Sequence, residues 1–363
     1  MNLDEIKQQL DLLNPNDLES IILFIKEKII SNKYIHVLLD ALESRYSTFV
    51  CPFSGGTHII RSGHYPNGMQ KYRCYECDHA FYIYKDTFLE CSKNNRITWI
   101  KYFIIMNKNE DLRDCARYAG GCLKTSFYMR HKILNAMENT IKDIKLSGIT
   151  EIDEKSINIS FSGNHKIQDE KSILPRKPYK RGRKSLKHKI EASFTDNILI
   201  CRAVDRSNHI FISVGKVGTT MLSSKEVESI YKPHLENATC ICSDKCPSYR
   251  LLVEKLNIKL HAFKTDSKEK RGIYHINHVN YVHKMITDYF QLHHGISSKY
   301  LNEYLALIAY KCMNKLLDVE SGLIELAKCN CTTRWKNYVH RSNVVLITHI
   351  LSNIAEFLVS KLV

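Results

Sequence analysis

Two aspartates stand where short apolar stretches end. Asp153 closes ITEID at residues 149–153, and Asp244 closes CICSD at residues 240–244. Carboxylates at the ends of neighbouring strands can share divalent metal ions about 3.5–4 Å apart, an arrangement that activates a nucleophile and stabilises the leaving oxygen in phosphoryl transfer. A lone aspartate at a strand end is also a common turn former, so each residue taken alone leaves both interpretations open.

A third polar residue of the same kind is found in HINHVNYVH at residues 275–283. If a helix begins near Asn277, then Asn280, His283 and Thr287 lie on one side of it, and the adjacent side is apolar. This geometry would point Asn280 toward the strand ends. The alternative is that Asn280 caps the helix.

The elements that must position these residues follow from hydrophobic periodicity. Strand-like runs occupy residues 148–159, 197–204, 209–214 and 239–243, and helical patterns cover 225–235 and the chain from 279 onward. Strands followed by alternating helices and strands predict an α/β (α+β) domain at residues 146–315, with a mixed sheet flanked by helices.

The charge of the chain indicates a polyanionic partner. Its formal net charge is +15, and residues 166–189 carry ten Lys or Arg with no apolar period, which predicts a basic loop. Nucleic acid is the leading candidate for such a partner. The alternative is a basic housekeeping protein with well-solvated lysines.

Cysteine spacing predicts a metal-binding module at residues 47–94. CPFS at 51–54 and YRCYECDHAF at 72–81 resemble the two turns of a zinc ribbon, with Cys51, Cys74 and Cys77 as ligands. Ser54 stands where a fourth cysteine would complete the set. Either His58 or another nearby histidine supplies the fourth ligand, or the site is weakened, or the module is a small hairpin with free thiols.

Residues 95–145 are predicted to be helical and to contain a helix-turn-helix. An apolar stripe ends at Ala119, Gly120-Gly121 breaks the helix, and a second helix opens near Lys124. A second helix that begins with small polar residues and carries basic ones suits a DNA major groove, although many helical hairpins have the same pattern. The residues predicted to contact DNA are Lys124, Thr125, Ser126, Arg130, His131 and Lys132.

The two ends of the chain are less informative. Residues 1–46 are predicted to form a helical leader and residues 316–363 a helical tail. The sequence has no signal peptide and no apolar run of about 18 residues, so we expect a soluble intracellular protein with no membrane partner.

The order of motifs is more specific than any one of them. In chain order these are CPFS, YRCYEC, LKTSFYMRHKIL, EIDE, PRKPYKRGRK, CSDKCPSY, GIYHINHVNYVH and HHGISSKYLNEYLALIAY. Over residues 45–315 this order resembles the zinc-ribbon insertion-sequence transposases of the ISXO-like and Merlin-like group. One subgroup of these DDE-type enzymes has Asn as its third triad residue, and 35 residues separate Asp244 from Asn280.

The resemblance implies a ribonuclease-H-like catalytic domain in which Asp153, Asp244 and Asn280 hold Mg²⁺, or Mn²⁺ in its place. It implies a transposase that binds the terminal inverted repeats of its element and catalyses metal-dependent cleavage and strand transfer. Its partners would be double-stranded DNA and further copies of the chain, in the cytoplasm or nucleoid of a bacterium or the nucleus of a eukaryote. The additional DNA contacts expected are Lys177, Lys180, Arg181, Arg183, Lys184 and His283.

Two positions depart from the family pattern. Ser54 replaces a ribbon cysteine, and Thr287 stands where the family has a lysine that contacts DNA phosphate. A catalytically inactive or host-adopted DNA-binding protein is therefore the alternative function. A nuclease that acts on RNA hybrids would leave the DNA-binding modules without a purpose.

Overall fold

The computed structural model describes residues 2–45, 50–65, 70–160, 162, 197–219, 221–263, 272–294, 296–331 and 333–334. The chain divides into two compact units, Met1–Ile133 with Leu316–Thr332 and Leu134–Lys315 with Thr333–Val363. The basic loop at 166–189 and the tail beyond residue 334 lie outside the described residues.

The first unit is mostly helical and contains one small sheet. Its helices and strands are α1 (Leu3–Leu10), α2 (Pro15–Ile29), α3 (Ile35–Ser44), β1 (Ile59–His64), β2 (Gln70–Cys74), β3 (Ala80–Tyr82), α4 (Arg96–Asn107), α5 (Leu112–Ala119) and α11 (Val319–Lys328). Helix α6 (Leu123–Ile141) begins in this unit and continues into the second. The strands β1, β2 and β3 form an antiparallel sheet in that order.

Local sequence explains where these helices begin and end. Asn2 and Glu5 form a capping box at the start of α1, and Asn14 caps α2, which has Pro15 in its first turn. Asp111 caps α5, and Gly120 ends it with a φ of 72°, a left-handed conformation that favours glycine. The predicted break at Gly120 is therefore confirmed.

The second unit is built on a five-stranded sheet. Its strands are β4 (Ser147–Asn158), β5 (Asn197–Asp205), β6 (Ile210–Val217), β7 (Asn237–Asp244) and β8 (Lys259–Phe263). Its helices are α7 (Ser224–Tyr231), α8 (Arg250–Leu256), α9 (Asn277–His293) and α10 (Leu301–Cys312). All four strands predicted from the sequence are present, whereas β8, in which Leu260 and Ala262 alternate with polar residues, was not predicted.

The sheet has the order β6-β5-β4-β7-β8. Strands β4, β5 and β6 pair antiparallel, whereas β4 with β7 and β7 with β8 pair parallel. Parallel pairing requires crossover connections, and α7 and α8 lie in the connections that lead into β7 and β8. The predicted mixed sheet flanked by helices is confirmed, and its arrangement is ribonuclease-H-like.

Helices cover both faces of this sheet. On one face, Tyr231 of α7 and Tyr249 pack with Ile152, Cys201 and other buried apolar side chains of the strands. On the other face, α9 packs on β4 and β5, and α10 packs on β6. Because side chains alternate along a strand, consecutive residues of β4 project into different environments. Within the described residues, no helix combines the length and apolarity needed to cross a bilayer.

Candidate active site and metal centres

Three charged residues lie side by side across the centre of the large sheet. Arg202 on β5 is the register partner of Asp153 on β4. On the other side of β4, the parallel pairing with β7 ends at Glu151 opposite Cys242. Continued by two residues along both strands, this register places Asp244 level with Asp153, and the charge of Asp244 acts on Asp153. Neighbouring strands are about 4.8 Å apart, which brings the two predicted acidic ligands together.

The carboxylate of Asp153 has a partner at each oxygen. Its Oδ1 accepts a hydrogen bond from the backbone N–H of Glu154 at 2.9 Å, and its Oδ2 accepts one from Nη2 of Arg202 at 2.5 Å. Burial raises the pKa of Asp153, Arg202 opposes the rise and the charge of Asp244 adds to it. A buried carboxylate whose pKa is raised by the charge of a second carboxylate belongs to a site that attracts cations.

Arg202 also contacts helix α9. Its side chain is completely buried, and Nη1 donates to the carbonyl of Val279 at 3.3 Å. Val279 immediately precedes Asn280, so one guanidinium links the first predicted metal ligand to the backbone beside the third. This link holds the beginning of α9 near the strand ends.

Glu151 fixes the first turn of α9. Its fully buried Oε2 accepts hydrogen bonds from the N–H groups of His278 at 2.8 Å and Val279 at 3.0 Å. These N–H groups have no partner inside the helix, and a negative charge is favourable at a helix N-terminus. Its Oε1 pairs with Arg206 and with Nδ1 of His278 at 2.7 Å.

Asn280 does not cap α9. The N-cap residue is Ile276, which makes no side-chain capping bond, and the N–H of Asn280 already donates to the Ile276 carbonyl. The capping interpretation is therefore wrong. Asn280 lies in the first turn of the helix with an exposed side chain, on the helix that Glu151 and Arg202 attach to the sheet.

A lysine from β4 lies where the family pattern places a lysine on α9. Nζ of Lys155 donates to the Thr287 hydroxyl at 2.6 Å. Burial and, to a smaller extent, the charge of Arg202 lower the pKa of Lys155 to about 8. Burial also lowers the pKa of His283 to about 4, with contributions from Arg202 and Lys155, so His283 is neutral at pH 7 and any DNA contact it makes is a hydrogen bond.

Lys155 and Thr287 line a cavity of about 500 Å³ beside this row of residues. The remaining lining comes from β4, the residues that follow it, α9 and the segment that leads into α10, and includes Asn158, Phe290, Gln291 and His294. An ammonium group in a cleft with polar and aromatic walls suits a nucleic-acid strand that carries phosphate groups.

Glu154 projects to the opposite face of the sheet from Asp153. It accepts a hydrogen bond from the Tyr231 hydroxyl at 2.8 Å and another from the Tyr249 hydroxyl. Burial raises the pKa of Glu154, whereas the two hydroxyl donors lower it. This acidic residue of the EIDE motif therefore has structural partners and does not join Asp153 and Asp244.

The donor atoms around Asp153 and Asp244 fit a divalent cation. Carboxylate and amide oxygens are the ligands that Mg²⁺ and Mn²⁺ prefer, and Asp153, Asp244 and Asn280 offer only oxygen in that role. Burial is the main cause of the raised pKa of Asp153, and the negative charge of Asp244 contributes to it. A divalent ion at this place would polarise a phosphodiester and lower the pKa of a bound water.

The three predicted zinc thiols converge in the first unit. The ligand atoms of Cys51, Cys74 and Cys77 lie within 4.8 Å of one another, and Sγ of Cys51 is 3.5 Å from Sγ of Cys77. The hydroxyl of Ser54 lies 3.5 Å from Sγ of Cys74. Tight turns at 51–56 and 74–79 present these atoms. The cluster is compatible with zinc, which prefers four such ligands.

His58 does not belong to the thiol cluster. Its ring stacks on Tyr75 with 4.6 Å between the centroids, and its side chain is exposed. Among the described histidines none joins the three cysteines. The prediction that His58 supplies the fourth ligand therefore needs correction, because stacking holds the imidazole away from the thiols.

Helix α6 buries most of the side chains predicted to contact DNA. Ser126, Arg130, His131 and Lys132 are at most 3% exposed. Ser126 donates to the Leu112 carbonyl at 2.7 Å, Arg130 to the Glu110 carbonyl at 2.7 Å, and Lys132 to the Glu90 carbonyl. These four predictions are corrected, because all four side chains are buried and internal carbonyls accept from Ser126, Arg130 and Lys132.

The beginning of α6 remains accessible. Lys124 is exposed and Thr125 is partly exposed. The N-terminal residues of a recognition helix are the ones that reach base edges, so this turn retains the predicted geometry. The predicted contacts Lys177, Lys180, Arg181, Arg183 and Lys184 lie outside the described residues.

Arg202, Lys155 and Glu151 are parts of the site that were not predicted from the sequence. Arg202 carried a usable signal, since it is the only charge within ILICRAV, an otherwise apolar strand. A charge inside such a strand is rarely buried without a partner. Lys155 and Glu151 are each two residues from Asp153 and therefore project from the same face of β4.

Comparisons with solved structures return Mos1 transposase complexes. "Crystal structure of the Mos1 Strand Transfer Complex" matches at 11% identity over 63% of this chain and 77% of that chain, with a TM-score of 0.27. "Crystal structure of a pre-cleavage Mos1 transpososome" matches at 10% identity over 63% and 78%, with a TM-score of 0.20. These TM-scores are low, and the strand order of the large sheet defines the fold. No curated protein matches the chain.

A family match covers most of the second unit. Residues 145–312 match the ISXO2-like transposase domain. The matched residues include the three-residue row across the sheet, the cavity and helices α9 and α10. The segment 145–312 of this chain is an ISXO2-like transposase domain of the DDE type.

Proposed function

We propose that this chain is a DNA transposase that cleaves the terminal inverted repeats of its element and transfers the strand by a DD(E/N) mechanism. The observation that carries the proposal is the juxtaposition of Asp153 and Asp244 on adjacent strands, beside the helix that bears Asn280. The catalytic domain is the segment 146–315, and Asp153, Asp244 and Asn280 are its metal ligands.

In this proposal, Asp153 and Asp244 supply the charge that attracts Mg²⁺ or Mn²⁺, and Asn280 adds a neutral amide oxygen. When bound, the metal polarises the phosphodiester and activates the attacking water or 3′ hydroxyl. Glu151 positions Asn280 by capping α9. Lys155 lies at the cavity wall, where its ammonium can contact a phosphate of the DNA strand.

The DNA-binding front end comprises the ribbon-like module at 47–94, with zinc on Cys51, Cys74 and Cys77, and the helix-turn-helix at 95–145. The exposed start of α6 with Lys124 supports base reading, and the net charge of +15 supports phosphate binding. Inverted repeats at two ends of an element require two protein copies, so the DNA-bound form is a homo-oligomer inside the cell.

The test is cleavage of DNA that carries the element's own ends, in Mg²⁺ and in Mn²⁺. We expect metal-dependent cleavage by the parent chain, at least a hundredfold loss in Asp244→Ala and Asp153→Ala, and no loss in Asp143→Ala. Asp143 is a matched control because it lies before β4 and outside the acidic pair. No metal-dependent cleavage by the parent chain would refute the proposed activity.

A second candidate function is DNA binding without catalysis. The observations that favour it are the neutral Asn280 and the guanidinium of Arg202 on Asp153, both of which reduce the negative charge available to a metal. Specific binding to the element ends together with an inactive parent chain would support this function.

A further inference from the structure

Arg202 places a permanent positive charge against the first metal ligand. The guanidinium donates to Oδ2 of Asp153 at 2.5 Å, and its side chain is 0% exposed, whereas Asp153 is 22% exposed. An arginine that is completely buried in this position does not belong to an incidental surface ion pair. The arginine is directly opposite Asp153 in the sheet, so strand pairing itself fixes the contact.

The buried guanidinium has no space to withdraw into solvent. Its Nη1 donates to the Val279 carbonyl of α9, and the backbone N–H of Arg202 donates to the Tyr231 hydroxyl. The side chain is therefore held between the sheet and α9. Removing one partner from such a buried pair is costly, so the Asp153 contact persists in the folded protein.

The formal charges around Asp153 and Asp244 can balance little additional positive charge. On this face of the sheet the two aspartates supply −2, Arg202 supplies +1 and Asn280 is neutral, which gives −1 before the nearby ammonium of Lys155 is counted. The charges of both aspartates also act on Glu154, but Tyr231 and Tyr249 hold that carboxylate on the opposite face. Two divalent ions would add +4 at about 3.5–4 Å from each other. One ion is compatible with the charge and with the remaining oxygens, whereas a second would need Oδ2 of Asp153.

We propose that the guanidinium of Arg202 takes the place of one of two divalent ions, so that this site holds a single Mg²⁺ or Mn²⁺. The inference rests on the proposed metal-binding role of Asp153 and Asp244. The ion would be coordinated through Asp244, the free lone pairs of Asp153 Oδ1 and the amide oxygen of Asn280. Arg202 would then be a positioning residue, since its burial keeps it from touching DNA.

The experiment is a Mn²⁺ titration of the full chain monitored by electron paramagnetic resonance, without DNA. The amount of Mn²⁺ bound at the site is obtained by subtracting the amount bound by Asp244→Ala from the amount bound by the parent chain. We expect one Mn²⁺ per chain with the spectrum of an isolated ion, and one in Arg202→Lys, which keeps the charge. Arg202→Met has similar length without the charge, and we expect it to bind a second ion with spin–spin broadening.

Two Mn²⁺ ions in the parent chain, or none, would overturn the inference. So would an unchanged count in a folded Arg202→Met variant, with folding checked by circular dichroism. If Arg202→Met does not fold, the count in the parent chain still decides the question. Cleavage measured separately distinguishes the two proposals, because a parent chain that binds one ion but does not cut DNA refutes only the proposed activity.

Discussion

Lys155 and Thr287 join strand β4 to helix α9 through a hydrogen bond of 2.6 Å from the ammonium to the hydroxyl. Thr287 is the position at which the resemblance implies a lysine. The chain thus has an ammonium beside that helical position, although it comes from a strand more than a hundred residues earlier in the sequence. The pair lines the cavity next to the acidic residues.

Replacing Lys155 by Met is expected to weaken DNA binding. Losing one phosphate contact reduces the slope of log affinity against log salt by about 1. Fluorescence anisotropy with labelled end DNA at several salt concentrations measures this slope. Thr287→Val removes the hydroxyl and leaves the ammonium, and we expect its slope to match that of the parent chain. An unchanged slope in Lys155→Met would exclude the phosphate contact.

The pKa of Lys155, about 8, predicts a pH dependence of DNA binding. Below pH 8 the amine is protonated and attracts phosphate, and above pH 8 it becomes neutral, so affinity should fall between pH 7 and pH 9. Lys155→Arg stays protonated throughout this range and should flatten the profile. Equal pH profiles for the parent chain and the Arg variant would contradict the prediction.

Glu151 is expected to stabilise the second unit. Glu151→Ala leaves Arg206 and two N–H groups of α9 without their acceptor, and we expect the free energy of unfolding to fall by about 3 kcal/mol. Urea denaturation measures the change. Glu236→Ala breaks an exposed ion pair with Lys145 and is expected to change stability by less than about 1 kcal/mol. Similar effects of the two substitutions would show that Glu151 has no special role.

Ser54 is predicted to limit zinc affinity. Ser54→Cys would supply a fourth thiolate next to Cys74, so zinc affinity should rise by about tenfold or more, or about 1.4 kcal/mol. Competition with a colorimetric chelator gives the dissociation constant. His58→Ala should leave this constant unchanged, because that ring stacks on Tyr75. A large loss of affinity in His58→Ala would restore His58 as a ligand.

Two lysines of α6 should respond differently to substitution. Lys124 is exposed, so Lys124→Ala is expected to weaken DNA binding without changing the free energy of unfolding. Lys132 is 2% exposed and donates to the Glu90 carbonyl, so Lys132→Ala is expected to lower that free energy by about 1–3 kcal/mol. Measuring the DNA affinity and the free energy of unfolding of both variants tests this difference. A stable Lys132→Ala variant that binds DNA poorly would contradict the buried placement.

The sequence by itself determined the parts of this protein that depend on near neighbours in the chain. Apolar runs predicted β4 to β7, and the Gly120 break predicted the turn between α5 and α6. The ends of two apolar runs selected Asp153 and Asp244, although Asp153 lies inside β4 and only Asp244 ends its strand. These features are local because side-chain alternation and helix capping are set within a few residues.

Only the tertiary structure decided which partners the charged side chains have. Arg202 reaches Asp153 through strand register, and Lys155 reaches Thr287 through the packing of α9 on the sheet. Four polar residues of α6 are buried, and three of them donate to carbonyls of the interior. The physical reason is that burial and ion pairing depend on residues far apart in the chain. A sequence pattern shows that a residue is charged, and the fold determines whether it faces a metal, DNA or another side chain.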